Sequence, residues 1–448
     1  MKGFRRVGRA LFLCIFLFSL LFLPQTQASA QSTSTVVATG IANPRGLAMA
    51  ADGGVYVAEA GLGGDESFQG PPAFGPSSRG PNGKIIKVAP DGTKTDVATG
   101  LPSIALGGFE VVGVARLIEA QGALWAVTGF VHEVVTQQPN ESAVLRIDPG
   151  TGTVTLVADI GAYERANDPD GFGVESDLNG LALGKDGMLY VADAGGNTLY
   201  RVNPTTGAIS LVTVFAGLPG QGENPARGGR SELDPVPTSV AVGADGTVYV
   251  GLLGGFPFPS GSAKVVRVAA DGTVSDAVTG FTLITGLEIG PDGLLYVVEF
   301  ASGFNLTTEP PSWNENTGRV VRIAADGSKQ VVIDGLNGPF GITFNPAGDL
   351  FVTNNSNTVP QAGAQGSILR VNGVAASQNV SPPSAPTPSA PAAPATLPNT
   401  GVGDPWDLRT LLLVVLGLAL IGTGAAAVRH RNIWTIRTRA ARDPDTHT

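Results

Sequence analysis

GLALGKDGMLYVADA, residues 180–194, reads as a strand, a tight turn and a second strand. Apolar runs joined across Asp-Gly mark a β-hairpin. The pattern recurs as GLAMAADGGVYVAEA from Gly46, GVARLIEAQGALWAVTG from Gly113 and SVAVGADGTVYVGLL from Ser239. It returns as GLEIGPDGLLYVVEF from Gly286 and GITFNPAGDLFVTNN from Gly341, with starts 47 to 67 residues apart. Each copy leads into a third strand carrying Lys87, Arg146, Arg201, Arg267, Arg322 or Arg370, and the first five copies add a fourth. Four antiparallel strands at this period predict propeller blades. The sixth copy stops after its third strand, and TVVAT at 35–39 matches the first copy's fourth strand, DVATG at 96–100. The expectation is an all-β chain: a six-bladed β-propeller over 31–373, closed by its N-terminal strand so that no sheet edge is left open.

Composition agrees. The 448 residues include 62 Gly and 33 Pro, with 15% charged, a turn-rich profile that excludes helical bundles. Residues 31–396 hold 18 Lys and Arg against 33 Asp and Glu, a net charge of −15 masked by basic ends. Such a surface repels phosphate backbones, which argues against nucleic acid as a partner. Cys14 is the lone cysteine and lies in the N-terminal apolar run, so no disulfide or thiolate chemistry is expected in the propeller.

Both ends read as addresses. In residues 1–30, Lys2, Arg5, Arg6 and Arg9 precede an apolar stretch at 10–23, and Ala28-Ser29-Ala30 fits a signal-peptide cleavage site. Residues 374–396 form a Pro/Ala/Ser linker that cannot build a core. Leu397-Pro398-Asn399-Thr400-Gly401 follows, then an apolar segment at 408–428 suited to a transmembrane helix, then a basic tail at 429–448 expected to stay cytoplasmic. LPNTG ahead of such a span resembles the sortase sorting signal of cell-wall-anchored bacterial proteins. That resemblance implies sortase as a partner and cleavage between Thr400 and Gly401. The alternative is an uncleaved single-pass membrane anchor. Both place the propeller outside the cytoplasm, at the cell surface.

Strand order puts the tight turns on one face of the disc. The long connections at 60–83, 130–142, 161–177, 216–236, 255–262, 301–318 and 355–366 fall on the other. Loops on a rigid scaffold carry function, so the second face is the expected surface for a small molecule, glycan or protein. At its centre, the residues ending each second strand are expected to approach the channel mouth: Glu59, Thr128, Asp193, Leu252, Glu299 and Asn354. Asn43, Arg45, Asn179, Thr238, Thr285 and Asn337, just before the inner strands, converge on the same place. Carboxylates and amides suit Ca2+ or another hard divalent cation, with Glu59, Asp193 and Glu299 as its ligands. Alternatively these groups satisfy strand-end amides or hold water. A second acidic group, Asp168 and Asp170 around Gly171 with Glu175 and Asp177 behind, reads either as a calcium loop or as a solvated loop. His132 is the only histidine in the propeller region, and no G-x-S-x-G, H-E-x-x-H or P-loop occurs, which argues against a Ser-His-Asp triad. The repeated third-strand cations are expected to pack between blades.

The inner-strand pattern resembles NHL-type propellers. More specifically, DIGAYERANDPDGFGVESDLNGLAL (159–183) and PTSVAVGADGTVYVGLLGGFPFPSGSAKVVRV (237–268) resemble the ScyD/ScyE family of exported bacterial propellers, named from the scytonemin pigment cluster. That resemblance implies a late, extracytoplasmic step on a pigment-like substrate. A more distant similarity is to gluconolactonase-type propellers, which implies a divalent cation at the axial mouth. Here Asn43-Pro44-Arg45-Gly46 stands where their E-G-P motif is expected. The leading expectation is an envelope-anchored binding module. The alternative is a metal-dependent hydrolase, lactonase-like or pigment-modifying.

Overall fold

The computed structural model describes residues 33–375, apart from 73, 225–226, 309–311, 358–362 and 364. The expected signal peptide, most of the linker, the LPNTG motif, the expected span and the tail lie outside the described residues. Among the described residues, no helix is long and apolar enough to cross a membrane.

Six four-stranded antiparallel units follow one another along the described chain. The units of blades 2 and 3 are joined into one sheet where Glu175–Leu183 pairs with Ala123–His132, and blade 1 carries two extra short strands. Blade 1 runs from its inner strand Pro44–Met49 through Val55–Glu59 and Pro76–Val88 to Lys94–Leu106. The inner strands of blades 2 to 6 are Val114–Ala120, Glu175–Leu183, Pro237–Val242, Ile284–Ile289 and Ile342–Phe344. Each inner strand contacts the next, and the sixth contacts the first, so the sheets close into a ring. Blade 6 takes its fourth strand from the N-terminus: Ser34–Ile41 lies antiparallel to Gly366–Val371, with Thr35 opposite Arg370 and Ala38 opposite Ile368.

The core lies between blades rather than at the axis. One buried cluster joins Tyr56, Ala58 and Ile85 of blade 1 to Leu117, Leu124 and Leu145 of blade 2, and equivalent clusters join each later pair. The last sets Phe351 and Ile368 of blade 6 against Val55, Val57 and Ile86 of blade 1. Strands covered on both faces read as continuous apolar runs, which is why VYVAE and LYVAD lack alternation. The first hairpin of every blade turns through a glycine at positive φ: Gly53, Gly122, Gly187, Gly246, Gly293 and Gly348. A side chain there would be strained.

Two sequence expectations can be refined. The third-strand cations whose head groups form ion pairs do so within their own blade. Lys87, Arg201, Arg322 and Arg370 meet Asp52, Asp186, Asp292 and Asp349 of their own blade's first turn, because the third strand runs beside the second, which that turn precedes. Secondly, the repeat in blade 2 is shifted by three residues. Strand pairing aligns Arg116, not Gly113, with Gly180, Ser239 and Gly286. Elsewhere this position packs tightly: a Cβ on Gly286 would lie 2.6 Å from the Phe340 carbonyl oxygen.

Arg116 is buried. Its guanidinium donates to the carbonyl oxygens of Asn179 (Nε, 3.2 Å), Thr285 (Nη2, 2.6 Å) and Thr238 (Nη2, 3.4 Å), linking blade 2 to blades 3, 5 and 4. Burial lowers its pKa to about 10, which leaves it charged at neutral pH. Glu288, on the inner strand of blade 5, is pushed up to about 7 by burial, which the Arg116 charge offsets only in part.

Replacing Arg116 with Ala orphans three buried carbonyls, and the expected loss is about 3–5 kcal/mol in urea unfolding. Arg116→Lys should recover only a fraction, since an ammonium lacks the planar fork. A fully stable Ala variant would show that the axis does not need this group. Glu288 generates a pH dependence. A carboxyl raised in the folded state binds its proton more tightly there, so its contribution to stability is present at low pH. It is lost as pH climbs from the ordinary 4.5 to about 7. Glu288→Gln should flatten the unfolding midpoint across that window; an unchanged profile would contradict the assignment.

Candidate functional site

The residues ending the second strands serve the backbone. Glu59 Oε1 accepts the Ala42 amide (2.9 Å), Glu299 Oε1 accepts the Thr282 amide (2.7 Å) and Asn354 Oδ1 accepts the Asn337 amide (2.7 Å). Asp193 Oδ1 accepts the amides of Asp177 (2.8 Å) and Gly196 (3.2 Å), and its Oδ2 accepts the Ser176 hydroxyl (2.6 Å). Burial raises Asp193 to about 6 against these bonds. In blades 1, 3, 5 and 6 the segment entering the inner strand has an amide that the side chain at the end of the second strand accepts. Among the described residues, Glu59, Asp193 and Glu299 are not a group whose carboxylate oxygens come within 4.8 Å of one another. The side chain of Asn43 donates to the Gly61 carbonyl (2.8 Å) and that of Asn337 to Asn355 Oδ1 (2.9 Å). These amides likewise tie loops at the rim.

Arg45, Asn179, Thr238 and Thr285 do converge. Together with Phe340 they line a cavity of about 350 Å³ on the loop-rich face. Arg116 is not in its lining; it holds the backbone of three of these residues. Arg45 Nη2 donates to the Val111 carbonyl (2.6 Å), lies 3.7 Å from Glu110 Oε1 and sits over the Phe340 ring at 4.3 Å. Burial lowers the Arg45 pKa, and the adjacent Glu110 opposes the shift.

The expected acidic loop divides. Glu175 and Asp177 turn into the cavity, where Asp170 and Asp234 also lie. Asp177 Oδ2 accepts the Asn179 side-chain amide (2.9 Å), whereas its buried Oδ1 has no hydrogen-bond partner. Burial, then the charge of Glu110, holds the Asp177 carboxyl well above the ordinary range despite Arg45. Asp168 and Asp170 instead group with Glu164 of helix α1 (Ile160–Asn167), their carboxylate oxygens lying within 4.8 Å of one another. Among the described residues this is the one such group of three.

An aromatic wall, absent from the sequence expectations, faces the same cavity. Trp313, on a small hairpin in the blade 5 insertion, has Phe304 at 4.6 Å, Phe258 at 5.2 Å, Phe300 at 5.3 Å and Phe109 at 5.8 Å. Phe256 beside them is 63% exposed. Aromatics make up only 6% of the chain, so their recurrence in connections on one face was the available signal. His132 stays outside the cavity, stacked near Phe130.

No protein-family model matches the chain, and no curated protein does. Solved structures are similar to the chain at low identity. A structural-genomics protein of unknown function from Bacteroides thetaiotaomicron is 13% identical over 76% of this chain and 75% of its own, with a TM-score of 0.47. A calcium-binding protein, regucalcin, from Agrobacterium tumefaciens is 13% identical over 76% and 94%, with a TM-score of 0.45. A gluconolactonase from Xanthomonas campestris is 15% identical over 77% and 92%, with a TM-score of 0.44.

Proposed function

We propose that the protein takes a small organic molecule with a flat apolar part into the axial cavity and hydrolyses an ester or lactone at its polar end. One observation carries this reading: Asp177, whose buried Oδ1 has no hydrogen-bond partner, lines the same cavity as the Trp313 aromatic cluster. Rings stack on the aromatic side, which orients the polar end toward Asp177 and Arg45. Water adds to the carbonyl carbon while the raised Asp177 carboxyl, protonated near neutral pH, delivers its proton to the leaving oxygen of the C–O bond that breaks. The proton lost by the water returns to the Asp177 carboxylate. Arg45 offsets negative charge developing on the carbonyl oxygen. The axial metal implied by the gluconolactonase similarity would need Glu59, Asp193 and Glu299 together, and among the described residues they do not form a group whose carboxylate oxygens lie within 4.8 Å of one another. No step is routed through it. A binding module without chemistry is the simpler reading, supported by the aromatic wall alone. Membership of the ScyD/ScyE family belongs to the proposal too, resting on residues 159–183 and 237–268, and an aromatic pigment-like substrate would suit that wall.

The purified full-length protein should turn over members of a panel of aryl esters and lactones. Asp177→Asn should lower kcat about 100-fold or more, while Trp313→Ala mainly raises KM. Because the acid acts protonated, the rate should fall on the alkaline side. Ligand binding seen by tryptophan fluorescence, without turnover and unaltered in Asp177→Asn, would leave only the binding module. Absence of both would sink the proposal.

The proposal also places this cavity outside the cell, on the strength of the sequence at residues 1–30 and 397–448. Mass spectrometry of envelope fragments should find a chain ending at Thr400 joined to the wall. Recovery of intact peptides from 430–448 on the mature protein would instead show an uncleaved anchor.

A further inference from the structure

We infer that Glu164, Asp168 and Asp170, where helix α1 ends, form a site for a hard divalent cation, next to the cavity and independent of the hydrolytic reading. The three carboxylates offer oxygens within 4.8 Å of one another. Proximity alone would describe any acidic loop, but Glu164 adds a separate observation. Its residue is 0% exposed, its Oε2 accepts the Tyr200 hydroxyl at 2.9 Å, and its Oε1 has no partner. A buried carboxylate oxygen is seldom left bare, since its lost hydration goes uncompensated. Among the described residues no lysine or arginine forms an ion pair with any of the three. A cation would satisfy the bare oxygen and the summed negative charge together.

The donor set is oxygen only, which selects Ca2+-like ions over those that prefer nitrogen or sulfur. Asp168 and Asp170 are half-exposed, so the ion has a route from solvent and water can complete its shell. The site has a structural consequence. Asp168 is the left-handed C-cap of α1, with φ 39°, and the turn that follows carries Asp170 and Phe172 into the cavity lining. An ion bridging Glu164 to that turn would fix one side of the cavity while standing outside the reacting groups.

The test is titration of the chelator-stripped full-length protein with CaCl2, followed by calorimetry and thermal unfolding. The expected result is one ion per chain and a rise in Tm of several degrees. Asp168→Asn and Asp170→Asn should each weaken binding at least about tenfold. Glu164→Gln should do the same, and should it fail to fold, the two exposed positions still decide. Asp245→Asn, in a tight turn on the opposite face, should leave binding unchanged. No uptake of Ca2+ or Mn2+ at millimolar concentration overturns the site, as does uptake that survives the Asp168/Asp170 double substitution. Either failure leaves the assignment of Asp177 standing.

Discussion

Arg116 reaches across the axis to carbonyl oxygens of three other blades. At the narrow end of each inner strand the backbone faces the channel rather than another strand, so its carbonyls lack ladder partners. Leaving one buried and unpaired costs about 1–3 kcal/mol. A planar guanidinium can donate in several directions at once, which a single lysine could not reproduce. The residues it holds, Asn179, Thr238 and Thr285, also turn their other atoms toward the cavity. Ring closure and cavity floor thus depend on the same group.

The sequence revealed the scaffold because the scaffold is periodic. Six Asp-Gly-type hairpins, each needing a glycine at positive φ, repeat the same local chemistry, and the unmatched strand at 35–39 showed how the ring ends. Arg116 escaped notice because aligning Gly113 with Gly46 hid it three residues downstream. Its pairing with Val127 corrects that register. Glu59, Asp193 and Glu299 were legible as acids near the mouth, yet their roles depended on amides 16 or 17 residues earlier that no spacing rule reveals. The aromatic wall was hidden for a different reason. Its members come from connections of unrelated length, so only the folded ring makes Phe109 and Phe258 neighbours of Trp313.

The cavity owes its asymmetry to that origin. Connections into blades 2, 3 and 4 supply the carboxylates Glu110, Asp170, Glu175, Asp177 and Asp234, whereas blades 4 and 5 supply the rings of Phe256, Phe258, Phe300 and Trp313. One lining excludes water from a flat surface. The other crowds like charges until a proton is retained. Arg45, held between Glu110 and the Phe340 ring, sits where the two meet. A ligand that satisfies both must itself be two-sided, so selectivity comes from matching polarity along one molecule more than from the size of the opening.

The pairing of Ser34–Ile41 with Gly366–Val371 has a consequence in time. The first strand of the ring finds its partner in the last, so the most distant contact in the chain is also the one that closes it. Contacts of long separation form slowly, because loop entropy must be lost before they yield any energy. Until then Gly366–Val371 presents an open edge, and blade 1 lacks the neighbour that covers Val55 and Val57. A chain released in stages cannot finish folding before its final blade emerges. The interval between the first strand and the last is therefore the period when it is most exposed to pairing with another copy.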